Sequence, residues 1–577
     1  MASLAADVAL ADSNGAKRYA ETPPRSEEQG RGSYRFKNKR MRKGHGDSSQ
    51  ILQTNGSNEE ILLEDVKDLL NSMDLGKEEG METVLPERLS EVEVSIKQIS
   101  STGDGLGFAK DSKQVYVVPF TAPGDNVTAK VFKHFEKEGY SMADFIRVNK
   151  PSPHRNESLI KCSYFTTCSG CQFQMLPYDY QLAHKKSIVE KAYKNFSNLP
   201  PELIPAIGDT IGSPLEYGYR TKLTPHFDGP PDSRRSDGRN GIKRTFKEVP
   251  PIGFMKKGTR QTIDIEDCPI GTSVVRKGMY RERQRIAQEI GNYNKGATVL
   301  LRENTARIPK SEWDEAQNTP DSVIEEKGEF IYKKTCITDP KAQTTEHIPP
   351  YQFTNPAGAF FQNNNSILPR FTQYIRSHIL PQTPSSHPKI HHLIDAYSGS
   401  GLFTITLSSL FTTSLGIDIS PASITSATQN ATLNSLPASR AKFIAADASH
   451  LFSSITTPAR ETVVVIDPPR KGCDESFLRQ LVGYGPARIV YVSCNVHTQA
   501  RDIGVLVGGM KGVDGGFGVG EGGYEIESIV GFDFFPQTGH VEGVAVLRRK
   551  TEWNSGGMEE SEIKEDDNKN EEKTEGA

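Results

Sequence analysis

The sequence predicts an α/β protein that combines a small β-barrel with a larger, mostly parallel sheet. Residues 91–155 contain short runs rich in β-branched and aromatic residues, separated by polar or glycine-rich turns. This spacing is typical of a small closed barrel of the OB type. After Tyr351, apolar runs that end in polar or small residues alternate with segments of helical character. That alternation predicts parallel strands that place ligands at their carboxyl ends.

The first ninety residues are polar and lack sustained periodicity, which predicts a disordered tail. Within it, ILLEDVKDLLNSM (residues 61–73) is amphipathic and predicts one short helix. The basic run RGSYRFKNKRMRKG (residues 31–44) fits a nuclear localisation signal, an RNA-holding arm or a solvated segment. The first fifteen residues lack a basic n-region, so neither a secretory signal nor a transit peptide is predicted.

Composition indicates several folded units in a reducing compartment. A chain of 577 residues is too long for one core, and no apolar run is long enough to span a bilayer. Seven cysteines do not form a disulfide framework, so we expect the cytoplasm or the nucleus. Residues 551–577 hold ten acidic and three basic side chains, which predicts an acidic, disordered tail. Residues 91–550 carry a formal charge of +6, which permits a polyanionic partner.

The predicted barrel and the segment after it have different patterns. OB-like barrels commonly bind oligonucleotides, and a purely structural barrel is the alternative. Residues 156–350 mix both kinds of element, with a predicted helix over residues 179–196 and predicted strands within 220–229 and 249–265. We therefore expect a central α+β region between the barrel and the parallel sheet.

Acidic residues end three successive predicted strands of the C-terminal half. The run LIDAYSGSGLF places Asp395 and Gly399 at a strand-to-helix turn, where glycine lets a ligand approach the backbone. Asp418 follows about twenty residues later, where a carboxylate can bind both ribose hydroxyls. Asp447 ends the third strand. No lysine or arginine near the turn is placed to bind a phosphate, so S-adenosylmethionine fits better than a dinucleotide.

A cysteine follows a proline loop by one strand. The run VVVIDPPRKG places Asp467 and two prolines after a buried strand, and the next strand ends at Cys494. The prolines fix a rigid loop that can hold a flat substrate. A free cysteine is often simply packed. After a proline loop, however, it suggests covalent activation of a pyrimidine ring rather than methylation of an exocyclic amine.

Five motifs carry a resemblance to the RNA uracil-C5 methyltransferases: AGAFFQNNN, DAYSGSGLF, DPPRKG, VSCN and FPQTGHVE, in the family's order. The resemblance covers roughly residues 92–549. It implies a class I methyltransferase (Rossmann-like) catalytic domain, a barrel similar to the TRAM domain that grips RNA, and S-adenosylmethionine as cofactor. It further implies that Cys494 is the nucleophile and Glu542 the general base. The residues that it places around the cofactor are Gln362, Tyr397, Asp418 and Asp467; the strand-end pattern adds Gly399 and Asp447.

The predicted domain organisation follows from these patterns. It comprises a tail (1–90), a TRAM or OB-like barrel (91–155), a central domain (156–350), a catalytic domain (351–550) and an acidic tail (551–577).

Four further cysteines follow the spacing C-x5-C-x2-C plus a distant fourth. They are Cys162, Cys168, Cys171 and Cys268. Such a set can bind zinc or an iron–sulfur cluster, and a chance set of buried cysteines is the alternative. Some members of the resembled family carry a [4Fe–4S] cluster on this pattern, so the resemblance implies the cluster.

The chemistry accounts for the residue types. Carbon 5 of uracil is too weak a nucleophile to attack a sulfonium methyl. A thiolate that adds to carbon 6 turns the ring into an enolate, so that carbon 5 becomes nucleophilic. Glu542 would then remove the carbon 5 proton, and the strand-end position, with substrate stacked beside it, would keep Cys494 close to a thiolate. The predicted function is methylation of carbon 5 of a uridine in RNA, the T-loop uridine 54 of tRNA, by a monomer without a membrane partner. Ribosomal RNA is the alternative substrate, and a catalytically dead RNA-binding or assembly factor is the alternative of another class.

Overall fold

The computed structural model describes residues 54–72, 85–230, 245–381, 389–446, 452, 455–509 and 522–550. The basic cluster, the acidic tail and Asp447 lie outside these residues. Among the helices in the described ranges, none combines the length and apolar character needed to cross a membrane.

A closed five-stranded barrel opens the folded part of the chain. Its strands are β1 (Glu91–Ile99), β2 (Gly105–Ala109), β3 (Val115–Val118), β4 (Asn126–Phe135) and β5 (Tyr140–Lys150). They close in the order β1-β2-β3-β5-β4. Side chains alternate along β1, with Val94 and Ile96 inside the barrel and Ser95 and Lys97 in solvent. The predicted barrel is confirmed.

Helix α1 (Asn58–Ser72) precedes the barrel and packs against it. Leu62, Val66 and Leu69 share a core with apolar side chains of β2, β3 and β5. The predicted helix is therefore present. The assignment of residues 1–90 to a disordered tail needs correction at this helix, because its apolar face is buried.

The central region contains two small four-stranded sheets. Its elements are α2 (Tyr178–Phe196), β6 (Gly208–Ile211), β7 (Lys222–Leu223), β8 (His226–Phe227), β9 (Gly253–Met255), β10 (Thr262–Asp264), α3 (Ser273–Glu289), β11 (Ala297–Thr298), β12 (Leu301–Pro309), β13 (Val323–Lys327), β14 (Phe330–Ile337) and β15 (Gln343–Ile348). The sheet orders are β10-β9-β8-β11 and β13-β14-β12-β7. The mixed α+β character predicted for this region agrees with these elements.

The C-terminal region is built on one eight-stranded sheet. Its elements are β16 (Tyr351–Pro356), α4 (Leu368–His378), β17 (His392–Ala396), α5 (Leu402–Leu407), β18 (Thr413–Asp418), α6 (Pro421–Leu433), β19 (Ala441–Ala445), β20 (Thr462–Ile466), α7 (Glu475–Tyr484), β21 (Arg488–Ser493), α8 (Val496–Gly508), β22 (Tyr524–Phe532) and β23 (Glu542–Arg549). The sheet order is β19-β18-β17-β20-β21-β23-β22-β6. Strands β17 to β21 run parallel, and the order reverses between β17 and β20, which opens a ligand crevice at their carboxyl ends.

Two central elements belong to the core of this sheet. Helix α2 packs Ile188 and Tyr193 against one face, together with α7 and α8, while α4 and α5 cover the other face. Strand β6 extends the sheet by pairing with β22. The hairpin of β15 and β16 spans residue 350, the predicted boundary between the central and catalytic domains. The central and C-terminal regions therefore share one core rather than separating at a linker.

Candidate active site

Strand pairing brings Cys494 and Glu542 together. Strands β21 and β23 are antiparallel, and their register pairs Ser493 with Gly543 and Val492 with Val544. Extended by one residue, this register sets Cys494 opposite Glu542 at the end of the sheet. The charge of Glu542 acts on the Cys494 thiol, so the two side chains lie close together. Asp467 follows β20, the parallel neighbour of β21, and lies on the same edge.

Glu542 is a buried carboxyl with a strongly shifted pKa. Its side chain is 3% exposed. Burial is the main reason that the pKa of Glu542 lies well above its ordinary value, the nearby Asp467 raises it further, and Arg470 opposes the shift. Burial therefore favours the protonated form of the carboxyl. Its conjugate base is correspondingly strong, which suits proton abstraction from carbon.

Cys494 is half-buried, and the protein without RNA holds it as a neutral thiol. Burial raises the pKa of Cys494 to about 12, and Glu542 adds to the shift. The Arg470 guanidinium lowers this pKa by its charge and by a hydrogen bond, but burial dominates. Burial alone therefore favours the neutral thiol, and the thiolate that the sequence predicts with substrate stacked beside Cys494 stays a prediction.

The proline loop that carries Arg470 is tied to helix α8. The Arg470 carbonyl accepts hydrogen bonds from Asn495 Nδ2 (3.1 Å) and Thr498 Oγ1 (3.0 Å). Its guanidinium Nη2 lies 3.5 Å from His540 Nδ1. The sequence motif marked this arginine without giving it a role. The structure makes Arg470 the cation that faces both Cys494 and Glu542.

The glycine turn and Asp418 form one unit at the end of β17 and β18. Asp418 accepts hydrogen bonds from the backbone N–H groups of Gly399 (3.0 Å) and Ser420 (2.7 Å). Tyr397 and Gly399 adopt positive φ angles of 67° and 53°. A Cβ on Gly399 would meet nothing within 4 Å, so open space lies over the turn. Three residues predicted to surround the cofactor therefore lie together.

Buried polar atoms beside this turn fit a polar nucleoside. Among the described residues, Asp395 Oδ1 and Ser398 Oγ are buried without a hydrogen-bond partner. Burial raises the pKa of Asp395 to about 7, and hydrogen bonds from Thr404 oppose the shift. Burial, followed by the charge of Asp395, likewise raises the pKa of Asp467 to about 7. Unpaired buried groups are costly, so a ligand that supplies their partners is favoured here.

Gln362 lies in a segment that is anchored next to the FPQTGHVE motif. The side chain of Gln362 is half-buried. Asn364 donates from Nδ2 to Ser213 Oγ (3.0 Å) and to the Phe534 carbonyl (3.1 Å). The neighbouring Asn363 accepts a hydrogen bond from Arg302. The bond from Asn364 to Phe534 places AGAFFQNNN beside FPQTGHVE, although the two motifs are far apart in sequence.

The four-cysteine set, defined as Cys162, Cys168, Cys171 and Cys268, is also brought together. All four are half-buried. Ser169 N–H donates to the Met255 carbonyl (3.0 Å), which joins the first three cysteines to the β9–β10 hairpin that Cys268 follows. Burial raises the pKa of Cys168 to about 11 and that of Cys171 to about 12, and neighbouring thiols of the set add to both shifts. The thiols therefore lie within electrostatic reach of one another.

One backbone hydrogen bond points at a thiol of the four-cysteine set. Gly170 N–H donates to Cys168 Sγ at 3.4 Å, the kind of bond that stabilises a ligating thiolate. In the ranges that the structure describes, no three His, Cys, Asp or Glu side chains are spaced to share one metal ion. The spacing of the described thiols therefore leaves the predicted metal or cluster a prediction.

The chain is similar to known proteins over most of its length. A family model described as tRNA (Uracil-5-)-methyltransferase matches residues 349–550, and a TRAM domain model matches residues 87–143. The chain is 43% identical over 513 residues to the tRNA (uracil(54)-C(5))-methyltransferase of Schizosaccharomyces pombe, covering 89% of this chain and 87% of the relative. It is 39% identical over 536 residues to the Saccharomyces cerevisiae protein of the same name, covering 87% and 80%.

A solved structure has the same fold. It is the crystal structure of Pyrococcus abyssi tRNA (uracil-54, C5)-methyltransferase in complex with S-adenosyl-L-homocysteine, with a TM-score of 0.53 and 22% identity. The match covers 79% of this chain and 100% of that one. The barrel, the doubly covered sheet and the extent of identity to the two fungal relatives lead to one conclusion. The chain belongs to the tRNA (uracil-5-)-methyltransferase family.

Proposed function

We propose that the protein uses S-adenosylmethionine to methylate carbon 5 of uridine 54 in tRNA, through a covalent adduct between Cys494 and carbon 6. The observation that carries the proposal is the facing of Cys494 and Glu542 at the carboxyl edge of the sheet, next to Asp467. The names of the two fungal relatives supply the position of the target nucleotide.

The reaction uses the two facing side chains in turn. Once its proton has been lost to solvent, the Cys494 thiolate adds to carbon 6 and moves electron density onto carbon 5. Carbon 5 would then take the methyl group as the methyl–sulfonium bond breaks, which would leave the cofactor as a neutral thioether. Glu542, as a carboxylate, removes the proton from carbon 5. The carbon 6–sulfur bond then breaks, the ring double bond returns and the thiolate is released. Arg470 lowers the pKa of both groups and so favours their charged, reactive forms.

The cofactor would lie over the glycine turn. S-adenosylmethionine supplies an electrophilic methyl group on a sulfonium. Asp418 would hold the ribose hydroxyls, and the open face of Gly399 admits the nucleoside close to the backbone. Tyr397, Gln362 and Asp467 would complete the pocket. Asp447, predicted for the same role, lies outside the described residues.

We also propose that the four-cysteine set holds a [4Fe–4S] cluster. The clustering of four soft thiol donors with backbone N–H groups aimed at sulfur supports this assignment. A zinc ion bound by the same four thiols is the alternative. The cluster lies in the central region between the barrel and the sheet, so we expect it to support the fold rather than to enter the reaction.

We propose a monomer as the working unit, because Cys494 and Glu542 come from paired strands of one chain.

The test is methyl transfer to defined RNA. Purified protein, labelled S-adenosylmethionine and tRNA transcripts should yield 5-methyluridine at position 54, identified by nuclease mapping. A transcript with cytidine at position 54 is the matched control and should remain unlabelled. Labelling of ribosomal RNA instead of tRNA would show that ribosomal RNA is the substrate. A protein that binds tRNA without transferring methyl to either RNA would be an assembly factor.

A further inference from the structure

Residues 54–72, the N-terminal strap, join three parts of the molecule. The strap consists of a lead-in of four residues (54–57) and helix α1. It lies outside the segments matched by the two family models. Its helix contacts the barrel and α2, while its lead-in reaches the helix that follows Cys494.

The helical part clamps the barrel to α2. Asp65, which is 2% exposed, accepts hydrogen bonds from the Ser101 backbone N–H of the barrel and from Lys191 Nζ of α2 (2.9 Å). One turn on, Asp68 accepts from Lys194 Nζ and Asn195 Nδ2, both at 3.0 Å. Asp65 therefore ties α1 to the barrel and to α2 at once, and Asp68 adds a second contact to α2.

The lead-in is bonded to α8 by two of its carbonyl groups. The Thr54 carbonyl accepts from Arg501 Nη1 at 2.8 Å, and the Gly56 carbonyl accepts from Asn495 Nδ2 at 3.2 Å. Gly56 has a φ of +63°, and a Cβ there would lie 2.5 Å from Thr498 Cγ2 and 2.7 Å from Asn495 Nδ2. Glycine is required for both reasons: the backbone conformation and the close approach.

The side chains that hold the lead-in also hold the proline loop. Asn495 Nδ2 and Thr498 Oγ1 both donate to the Arg470 carbonyl. Arg501 donates to the Lys471 and Cys473 carbonyls, each at 3.0 Å. Asn495 is also the residue next to Cys494. A shift of the lead-in would therefore move the supports of both the nucleophile and the arginine beside it.

We propose that Gly56 is a positioning residue for the methyl transfer, acting through Asn495 and Arg501 to keep Cys494 and Arg470 in register. The inference rests on the proposed function. It adds that a segment N-terminal to the barrel is part of the catalytic framework, although it contributes no side chain to the reacting atoms.

The first test compares two glycine substitutions. Gly56→Ala should lower kcat by about tenfold to a hundredfold, because small misplacements of reacting groups have effects of that size. The KM for tRNA and the affinity for S-adenosylmethionine should change by less than about twofold. Gly328→Ala is the matched control: its φ is +59°, but an added Cβ meets nothing within 4 Å. This variant should keep wild-type kcat.

A second pair of variants avoids the steric clash. Glu60 Oε2 accepts from the backbone N–H groups of Asn55 and Gly56, both at 3.1 Å, and so holds the turn of the lead-in. Glu60→Ala should lower kcat, whereas Glu60→Gln, which keeps an acceptor oxygen, should restore most of it. This pair decides the question if Gly56→Ala fails to fold.

A double variant separates positioning from general stability. If Gly56 acts through Asn495, the loss of kcat in Gly56→Ala combined with Asn495→Ala should be smaller than the product of the two single losses. If the wild type is active and both Gly56→Ala and Glu60→Ala keep its kcat, Gly56 has no positioning role. Equal losses of kcat and cofactor affinity would also overturn it. An inactive wild type would instead overturn the proposed function.

Discussion

Cys494 and the four-cysteine set are both half-buried thiols whose pKa values burial raises, yet their neighbours differ in charge. Cys494 stands alone at a strand end, with a guanidinium and a carboxyl beside it. Each thiol of the set stands among other thiols. Burial keeps both kinds neutral in the protein without ligands. The two kinds of thiol therefore differ in their neighbouring groups rather than in their exposure, and this difference underlies the different roles proposed for them.

The largest expected effect separates the two kinds of thiol by activity. Cys494→Ala should lower turnover by about 10⁴-fold or more, because no adduct can form. S-adenosylmethionine affinity, measured by calorimetry, should stay within about twofold, and bound iron should be unchanged. Cys336→Ala should retain activity, because Cys336 is buried in the apolar core against which Cys168 and Cys268 pack and is not itself one of the four cysteines. Turnover of Cys494→Ala near the wild-type rate would remove the distinction.

The second expected effect is on metal content, which should depend on the four-cysteine set and not on Cys494. Protein purified without oxygen should contain iron and sulfide and show a broad visible absorption, which Cys168→Ser should abolish. Cys494→Ala and Cys336→Ser should both keep the absorption. Zinc in place of iron would retain a metal site and refute the cluster, and the absence of any metal would make the set a group of packed thiols.

The third effect concerns the cofactor pocket, on which Cys494 depends and the four-cysteine set does not. Asp418→Ala should weaken S-adenosylmethionine binding by about 1–3 kcal/mol, through loss of hydrogen bonds to a charged group. Calorimetry measures the change. Asp209→Ala, an exposed carboxylate paired with Lys186, serves as control and should bind normally. Unchanged affinity in Asp418→Ala would exclude this residue from the pocket.

The last effect concerns the pH dependence of Cys494 itself. Because the pKa of Cys494 is raised to about 12 without RNA, its thiolate fraction should rise about tenfold per pH unit from pH 7 to 9. Alkylation of Cys494 in RNA-free protein, followed by peptide mass spectrometry, should rise by the same factor. A fast rate that does not vary over this range would mean that the thiolate already exists before substrate binds.

Two residues of the reactive edge were predictable because each directly follows a buried strand. Asp467 and Cys494 end neighbouring apolar runs, so their proximity follows from a parallel sheet. Glu542 was identified by its motif alone, and the register of β21 with β23 supplies the physical reason. The activation of Cys494 was not predictable, since it depends on the balance between burial and the charge of Arg470.

Longer-range features lacked a local signal. Helix α1 was recognisable by its periodicity, but its docking on barrel and sheet was hidden inside a polar segment. Strand β6 has four residues, too few to reveal that it completes the sheet. In the sequence, Gly56 resembles any glycine of a polar tail. Only the structure shows that its carbonyl accepts a hydrogen bond from Asn495.

The covalent adduct at Cys494 gives the most direct test. tRNA carrying 5-fluorouridine at position 54 should form a band with the wild-type protein and S-adenosylmethionine that survives a denaturing gel, because fluorine cannot leave as a proton. Glu542→Gln should trap ordinary tRNA after methyl transfer, since the carbon 5 proton remains. Cys494→Ala should give neither band. If both traps fail and Cys494→Ala remains active, Cys494 is a packed strand end and the proposed mechanism is wrong.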